Sequence, residues 1–274
     1  MSTQKRKRND RNNRRRNLLH RIGYAAFMII LVLILSAFSG NIGHRVPVFG
    51  KNKGGPDHTE TGSFELRSSF LKGDYPDRKL IVVPVLCQYP ELPTGCESTA
   101  AAMVLQYYGS NMSAEDFAAD WLSCSNDFYT VNGRSYGPDP DQVFAGNPFS
   151  EYAYGCFAHP IVNAVNQNST DFHAEKLEEM TLSEICETYI ANDMPVLIWA
   201  TMGMKASAQG KSWYLPDGTE FTWISGEHCL VLVGYSDENY YLNDPQTGSI
   251  AAYERSLVEQ RFAELGGQAV LILP

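Results

Sequence analysis

The sequence has no CxxC or HExxH spacing, no GxxxxGK[ST] loop, no internal repeat and no low-complexity domain. These absences argue against a structural zinc site, a zinc hydrolase and a phosphate-cradling nucleotide site, and no cofactor or metal is expected. Basic residues are scarce beyond the N-terminus. Of the 22 Lys and Arg, nine lie before residue 22 (Lys5 to Arg8, Arg11, Arg14 to Arg16, Arg21), which leaves 13 against 30 acids and a net of −17. Nucleic acid is therefore not an expected partner of the remainder, because phosphates would meet a like-charged surface. Six cysteines (Cys87, Cys96, Cys124, Cys156, Cys186, Cys229) are too few for a disulfide scaffold in 274 residues.

What is present begins with IGYAAFMIILVLILSAFSG, Ile22 to Gly40, about 18 residues without a charge. That length spans a bilayer as a helix, and nine cations before it hold the N-terminus in the cytoplasm and send the rest outward. Two forms are open: an uncleaved signal anchor, favoured because the run exceeds a normal signal-peptide core, and a cleaved signal with Ala37 and Ser39 at the small-residue positions. The expected organisation is a basic cytoplasmic tail (1–21), a transmembrane anchor (22–40), a Gly- and Pro-rich linker or stalk (41–78) and one exported domain (79–274). Export permits disulfides, and Cys124 with Cys156 is the expected pair.

Within the domain, LIVVPVLCQY (Leu80 to Tyr89) reads as a strand or extended segment, with Pro84 arguing for an edge. A helix is expected from Cys96 to Tyr108, stopped by Gly109. Another runs from Ser113, a capping residue, to about Ser123. The stretch from Cys124 to Gly155 is rich in Asn, Gly, Pro and aromatics and reads as a long surface loop or lid. Helices follow near His159 to Gln167 and Thr181 to Asn192, the second opening with the capping-box pattern TLSE. Then MPVLIWATM, HCLVLVGYS, NYYLNDP and GQAVLILP read as four strands. Helices first and strands second argue for an α+β fold with a mostly antiparallel sheet.

Three positions carry candidate chemistry. Cys96 opens a helix, where a thiol's pKa falls, and the preceding Thr94-Gly95 allows a tight turn. His228 starts an apolar strand, and Asp244 closes the next one. A hairpin through the SDEN turn brings the two together only with a stagger in register. In such a site the histidine pairs with the thiol and the aspartate holds the imidazole tautomer. The Cys96 N–H and the side-chain amide of Gln88 are the candidate oxyanion donors. His159 reads as a structural residue.

The segments VPVLCQYPELPTGCESTAAAMVLQYYG, YGCFAHPIVNAVNQ and GEHCLVLVGYSDENYYLNDPQTG, in that order, resemble the double-glycine leader peptidase-like branch of the papain-like cysteine peptidases. The resemblance runs from about residue 80 to 253. It implies a papain-like fold, with Gln88 as oxyanion glutamine, Cys96 as nucleophile, His228 as base and Asp244 as orienting acid. Family members that trim bacteriocin leaders are fused to an exporter and an ATPase and act in the cytoplasm. This chain, with one apolar segment and an external domain, looks instead like a stand-alone, membrane-anchored protein of a bacterial surface. Glu97 stands where many relatives carry glycine, and an acid beside the thiol raises its pKa while the helix dipole opposes this. The expected activity is amide-bond hydrolysis of a peptide or protein through an acyl-enzyme thioester. The alternatives are a catalytically silent peptide- or wall-binding module and a peptidoglycan endopeptidase acting on cell-wall peptides.

Overall fold

The computed structural model describes residues 76–274. The expected basic tail, membrane anchor and nearly all of the linker lie outside the described residues. Among the described residues no helix is long and apolar enough to cross a membrane.

In chain order, β1 (Lys79–Leu80) leads into an extended segment and then α1 (Cys96–Tyr107). After one helical turn come β2 (Cys124–Ser125), β3 (Tyr129–Val131), β4 (Arg134–Tyr136) and β5 (Phe144–Ala145). The chain continues through α2 (Ala158–Asn168), β6 (His173–Lys176), α3 (Leu182–Thr188) and β7 (Val196–Thr201). It ends with β8 (Ala208–Tyr214), β9 (Glu220–Ser225), β10 (Glu227–Tyr235), β11 (Asn239–Asp244), β12 (Ser249–Glu254), α4 (Arg255–Glu264) and β13 (Ala269–Leu273).

The main sheet has the order β12-β11-β10-β7-β13-β6, with β1 also on β10, and every pairing in it is antiparallel. The expected α+β architecture is met. All nine residues of β10 and all six of β7 are buried, which is why both read as unbroken apolar runs. Helix α1 packs on β10 and α4 packs on β7. Ten of the twelve α1 residues are buried, including its alanines, so this helix is apolar nearly all round and sits in the core. A second, smaller sheet, β3-β4-β8-β9, carries a cluster of aromatic rings that includes Trp213, Phe221 and Trp223.

Several expectations need correction. Of the two forms expected for 80–89, the extended segment is found and the strand is confined to Lys79–Leu80; Ile81 N–H still donates to Val233 O (2.7 Å), but Pro84 has no N–H with which to extend the ladder. The helix from Ser113 is one turn, Ala114–Asp116, followed by a π-turn, Phe117–Trp121, although Ser113 does cap it through Asp116 N–H (3.0 Å). The stretch 124–155 contains the β3–β4 hairpin and the parallel β2–β5 pair rather than loop alone. Strands β8, β9 and β12 and helix α4 were not read from sequence, because their many exposed polar residues blur the apolar period. Cys124 and Cys156 are not bonded; all six cysteines are free thiols.

Candidate active site

The loop before α1 is tied down from three directions. Gln88 N–H donates to Pro245 O (2.8 Å), Leu92 N–H returns to Gln88 O (2.7 Å), and Gly95 N–H reaches Leu92 O (3.0 Å). Gly95 is needed for steric reasons: a Cβ there would lie 2.8 Å from Leu92 Cβ. The Gln88–Pro245 bond joins the segment leading to Cys96 with the residue that follows Asp244. Residues 157 positions apart (245 − 88) are thus held in one place.

The register of β10 and β11 supplies the stagger that the sequence required. Val231 pairs with Asn243, so Asp244 lies one step further, diagonal to His228 on the same face. His228 Nε2 donates to Asp244 Oδ1 at 2.7 Å, and that oxygen also accepts Gln246 N–H at 2.8 Å. A hydrogen on Nε2 leaves Nδ1 as the basic nitrogen of the neutral ring, and Nδ1 has no partner. His228 is 1% exposed and Asp244 2%. Burial alone would raise the Asp244 carboxyl, but the hydrogen bond and charge of His228, with the Gln246 N–H, override it and hold the carboxyl below its ordinary value.

Cys96, 5% exposed, sits at the first position of α1. Its Sγ–H donates to Glu97 Oε2 (3.2 Å), and its sulfur accepts Cys229 N–H (3.5 Å). The sequence leads one to expect a lowered thiol pKa at a helix start. Here burial pushes the Cys96 thiol well up, and the charges of Glu97, Glu227 and Cys229 push in the same direction. The Cys229 N–H alone acts the other way and is outweighed. Glu97 is itself pushed up to about 7 by burial, although Cys156 N–H donates to its Oε1 (2.6 Å). Glu227 is raised well above the ordinary range, first by burial and then by Glu97.

Gln88 is 3% exposed. Its Nε2 donates to Pro93 O (3.0 Å) and more loosely to Leu92 O (3.3 Å), and Oε1 has no partner. Its amide therefore braces the loop in front of Cys96 in this resting arrangement. His159 pairs with Asp141 through Nδ1 (2.8 Å) and is half-exposed, which agrees with a structural role. Sequence reasoning missed Glu227. The available signal was an acid at the mouth of an otherwise apolar, fully buried strand, directly before the candidate histidine. A cavity of about 910 Å³ lies elsewhere, between Phe128, Tyr136 and Tyr214, and none of Gln88, Cys96, His228 and Asp244 lines it.

The sequence matches the model of the Peptidase_C39 like family over residues 80–270. The chain belongs to that family. The family expected from the three motifs is met at this level. Among proteins similar to it, YvpB of Bacillus subtilis (strain 168), itself uncharacterized, is 28% identical over 186 residues, which are 67% of this chain and 70% of the relative. A solved structure of a proposed C39-like peptidase from Bacillus anthracis is 26% identical, with a TM-score of 0.62, covering 72% of this chain and 98% of the other. Membership of the Peptidase_C39 like family, with that structural relative, supports a peptidase. The mixed α/β fold with its antiparallel sheet agrees with it.

Proposed function

We propose that this protein is an extracellular, membrane-anchored cysteine peptidase in which Cys96, His228 and Asp244 form the catalytic triad. One observation carries the reading. His228 is bonded through Nε2 to a carboxylate held below its ordinary pKa, so Nδ1 is kept as a free acceptor for a thiol proton. In the reaction Cys96 Sγ turns from Glu97 to His228 Nδ1 and gives up its proton. The thiolate attacks the scissile carbonyl carbon. The oxyanion is met by Cys96 N–H, one of the unpaired donors of a helix start, and by a Gln88 N–H turned from the longer of its two bonds. His228 protonates the leaving amine, and water then hydrolyses the thioester with His228 as base. The Ile22–Gly40 apolar run behind nine cations supports the anchor and the outward domain. The net acidity of the remainder favours a neutral or basic peptide.

Cys96→Ala is expected to abolish labelling of this position by a thiol-reactive probe and turnover of any peptide substrate; surviving turnover would overturn the reading. Peptides released from purified cell wall, set against cleavage of proteins with double-glycine sites, separate wall-peptide from protein substrates. A silent peptide-binding module is the second reading, favoured by the raised thiol and its resting bond to Glu97. In that case Cys96→Ala leaves peptide binding intact and no turnover is found for the unaltered chain.

A further inference from the structure

Glu97 and Glu227 are buried (0% and 4% exposed), and the reaction above uses neither. Unpaired buried charge is strongly unfavourable, and neither carboxyl has an ion-pair partner among the described residues. The two reach the same point from different elements, Glu97 from the first turn of α1 and Glu227 from the first residue of β10. They converge at Gly155, where φ is +150° and an added Cβ would lie 2.6 Å from Glu97 Oε1 and 3.0 Å from Glu227 Oε2. Their partners differ. Both Glu97 oxygens accept, one from Cys156 N–H and one from the Cys96 thiol, whereas Glu227 Oε1 accepts nothing. A carboxyl that accepts at both oxygens suits the ionised form, and a neighbour with one oxygen unpartnered suits the protonated one, although Trp199 bonds to that carboxyl. The groups facing Glu97 are Cys96 on its own helix, Cys156 and Cys124 from the segments beside it, and Glu227 and Cys229 from β10. All are acids. Among the described residues no cation forms an ion pair with Glu97 or Glu227.

We infer that Glu97 is a positioning residue for the nucleophile, holding Cys96 as a thiol turned away from His228 Nδ1 while Glu227 beside it keeps a proton. This rests on Cys96 being the nucleophile. The attacking rotamer is reached only when the Sγ–H···Oε2 bond is given up, so the site rests neutral at the sulfur. A glutamine in place of Glu97 keeps an oxygen for Cys156 N–H and turns an N–H toward sulfur. It therefore removes a repelling charge and favours the thiolate.

The test is the pH dependence of Cys96 alkylation by iodoacetamide in the full-length chain, read by mass spectrometry with Cys87 as the exposed control. Glu97→Gln is expected to lower the midpoint by at least about one pH unit, making Cys96 about tenfold more reactive near neutrality, with Cys87 unchanged. Glu227→Gln, which removes the smaller of the two acidic contributions at the thiol, is expected to lower the midpoint less than Glu97→Gln does. An unchanged or raised midpoint in Glu97→Gln with native circular dichroism would overturn the proposal. If that variant does not fold, infrared difference spectra of the unaltered chain against Cys96→Ala decide. A hydrogen-bonded S–H band, with a protonated carboxyl persisting at neutral pH, supports it, and a free S–H band or fully ionised carboxyls overturn it. If Cys96→Ala keeps turnover while Glu97→Gln still moves the midpoint, Cys96 is not the nucleophile, and only the hold of Glu97 on its thiol stands. The reverse pattern removes the positioning role alone.

Discussion

Two single residues decide whether this site can form. Gly155 is one: its φ of +150° and the nearness of both carboxylates leave no room for a side chain. Gly155→Ala is expected to destabilise the domain by about 2 kcal/mol or more, read as a lower urea midpoint, because backbone strain and overpacking act together. Asp244 is the other. Asp244→Asn is expected to preserve the far-ultraviolet circular dichroism and to reduce turnover by roughly 10²–10⁴, since an amide in its place permits the wrong imidazole tautomer. An activity loss matched by unfolding would show a structural role instead. At this scale the helix start at Cys96 and the pairing of His228 with Asp244 were legible, because each residue stands at the end of an element with a clear period. Glu227 was missed although its place on an apolar strand marked it, and its meeting with Glu97 beside Gly155 depends on contacts that sequence order does not carry.

Elements were legible in proportion to how regular and how buried they are. Strands β7, β10 and β13 and helix α1 were read nearly to their ends, since burial on both faces writes long apolar runs, and β11 was read from its Tyr-Tyr-Leu centre. Capping chemistry also survived. Thr181 Oγ1 accepts Glu184 N–H (3.2 Å), and Glu184 Oε2 accepts Thr181 N–H (2.8 Å), which is the box expected from TLSE. Thr181→Ala is expected to remove about 1 kcal/mol of stability, measured by urea denaturation, without altering alkylation of Cys96. The β8–β9 hairpin was missed for the opposite reason. Five of the seven β8 residues are exposed, so no apolar alternation marks it.

For the molecule as a whole, the buried carboxyls set a pH dependence of stability. Glu97 titrates near 7 in the fold against an ordinary 4.5, and Glu227 is also raised, so the folded chain binds more protons than the unfolded one. Stability therefore falls as pH rises through this window, by up to about 1.4 kcal/mol per pH unit for each proton held. Asp244, lowered in the fold, acts in the opposite direction and only below about its ordinary 3.8. The urea midpoint is expected to drop between pH 5 and pH 8 in the unaltered chain and to stay nearly level in the Glu97→Gln, Glu227→Gln double variant. A flat profile in the unaltered chain would mean that the pair is not buried in solution. By itself the sequence determined the α+β class, the core strands, the helix that opens at Cys96 and the order of cysteine, histidine and aspartate, because period and spacing are local properties of a chain. Only the tertiary structure decided the stagger that puts His228 on Asp244, the brace of Gln88 against Pro245 and the meeting of Glu97 with Glu227. Each depends on register and burial between segments far apart in sequence, where desolvation reverses the thiol pKa that a helix start alone implies.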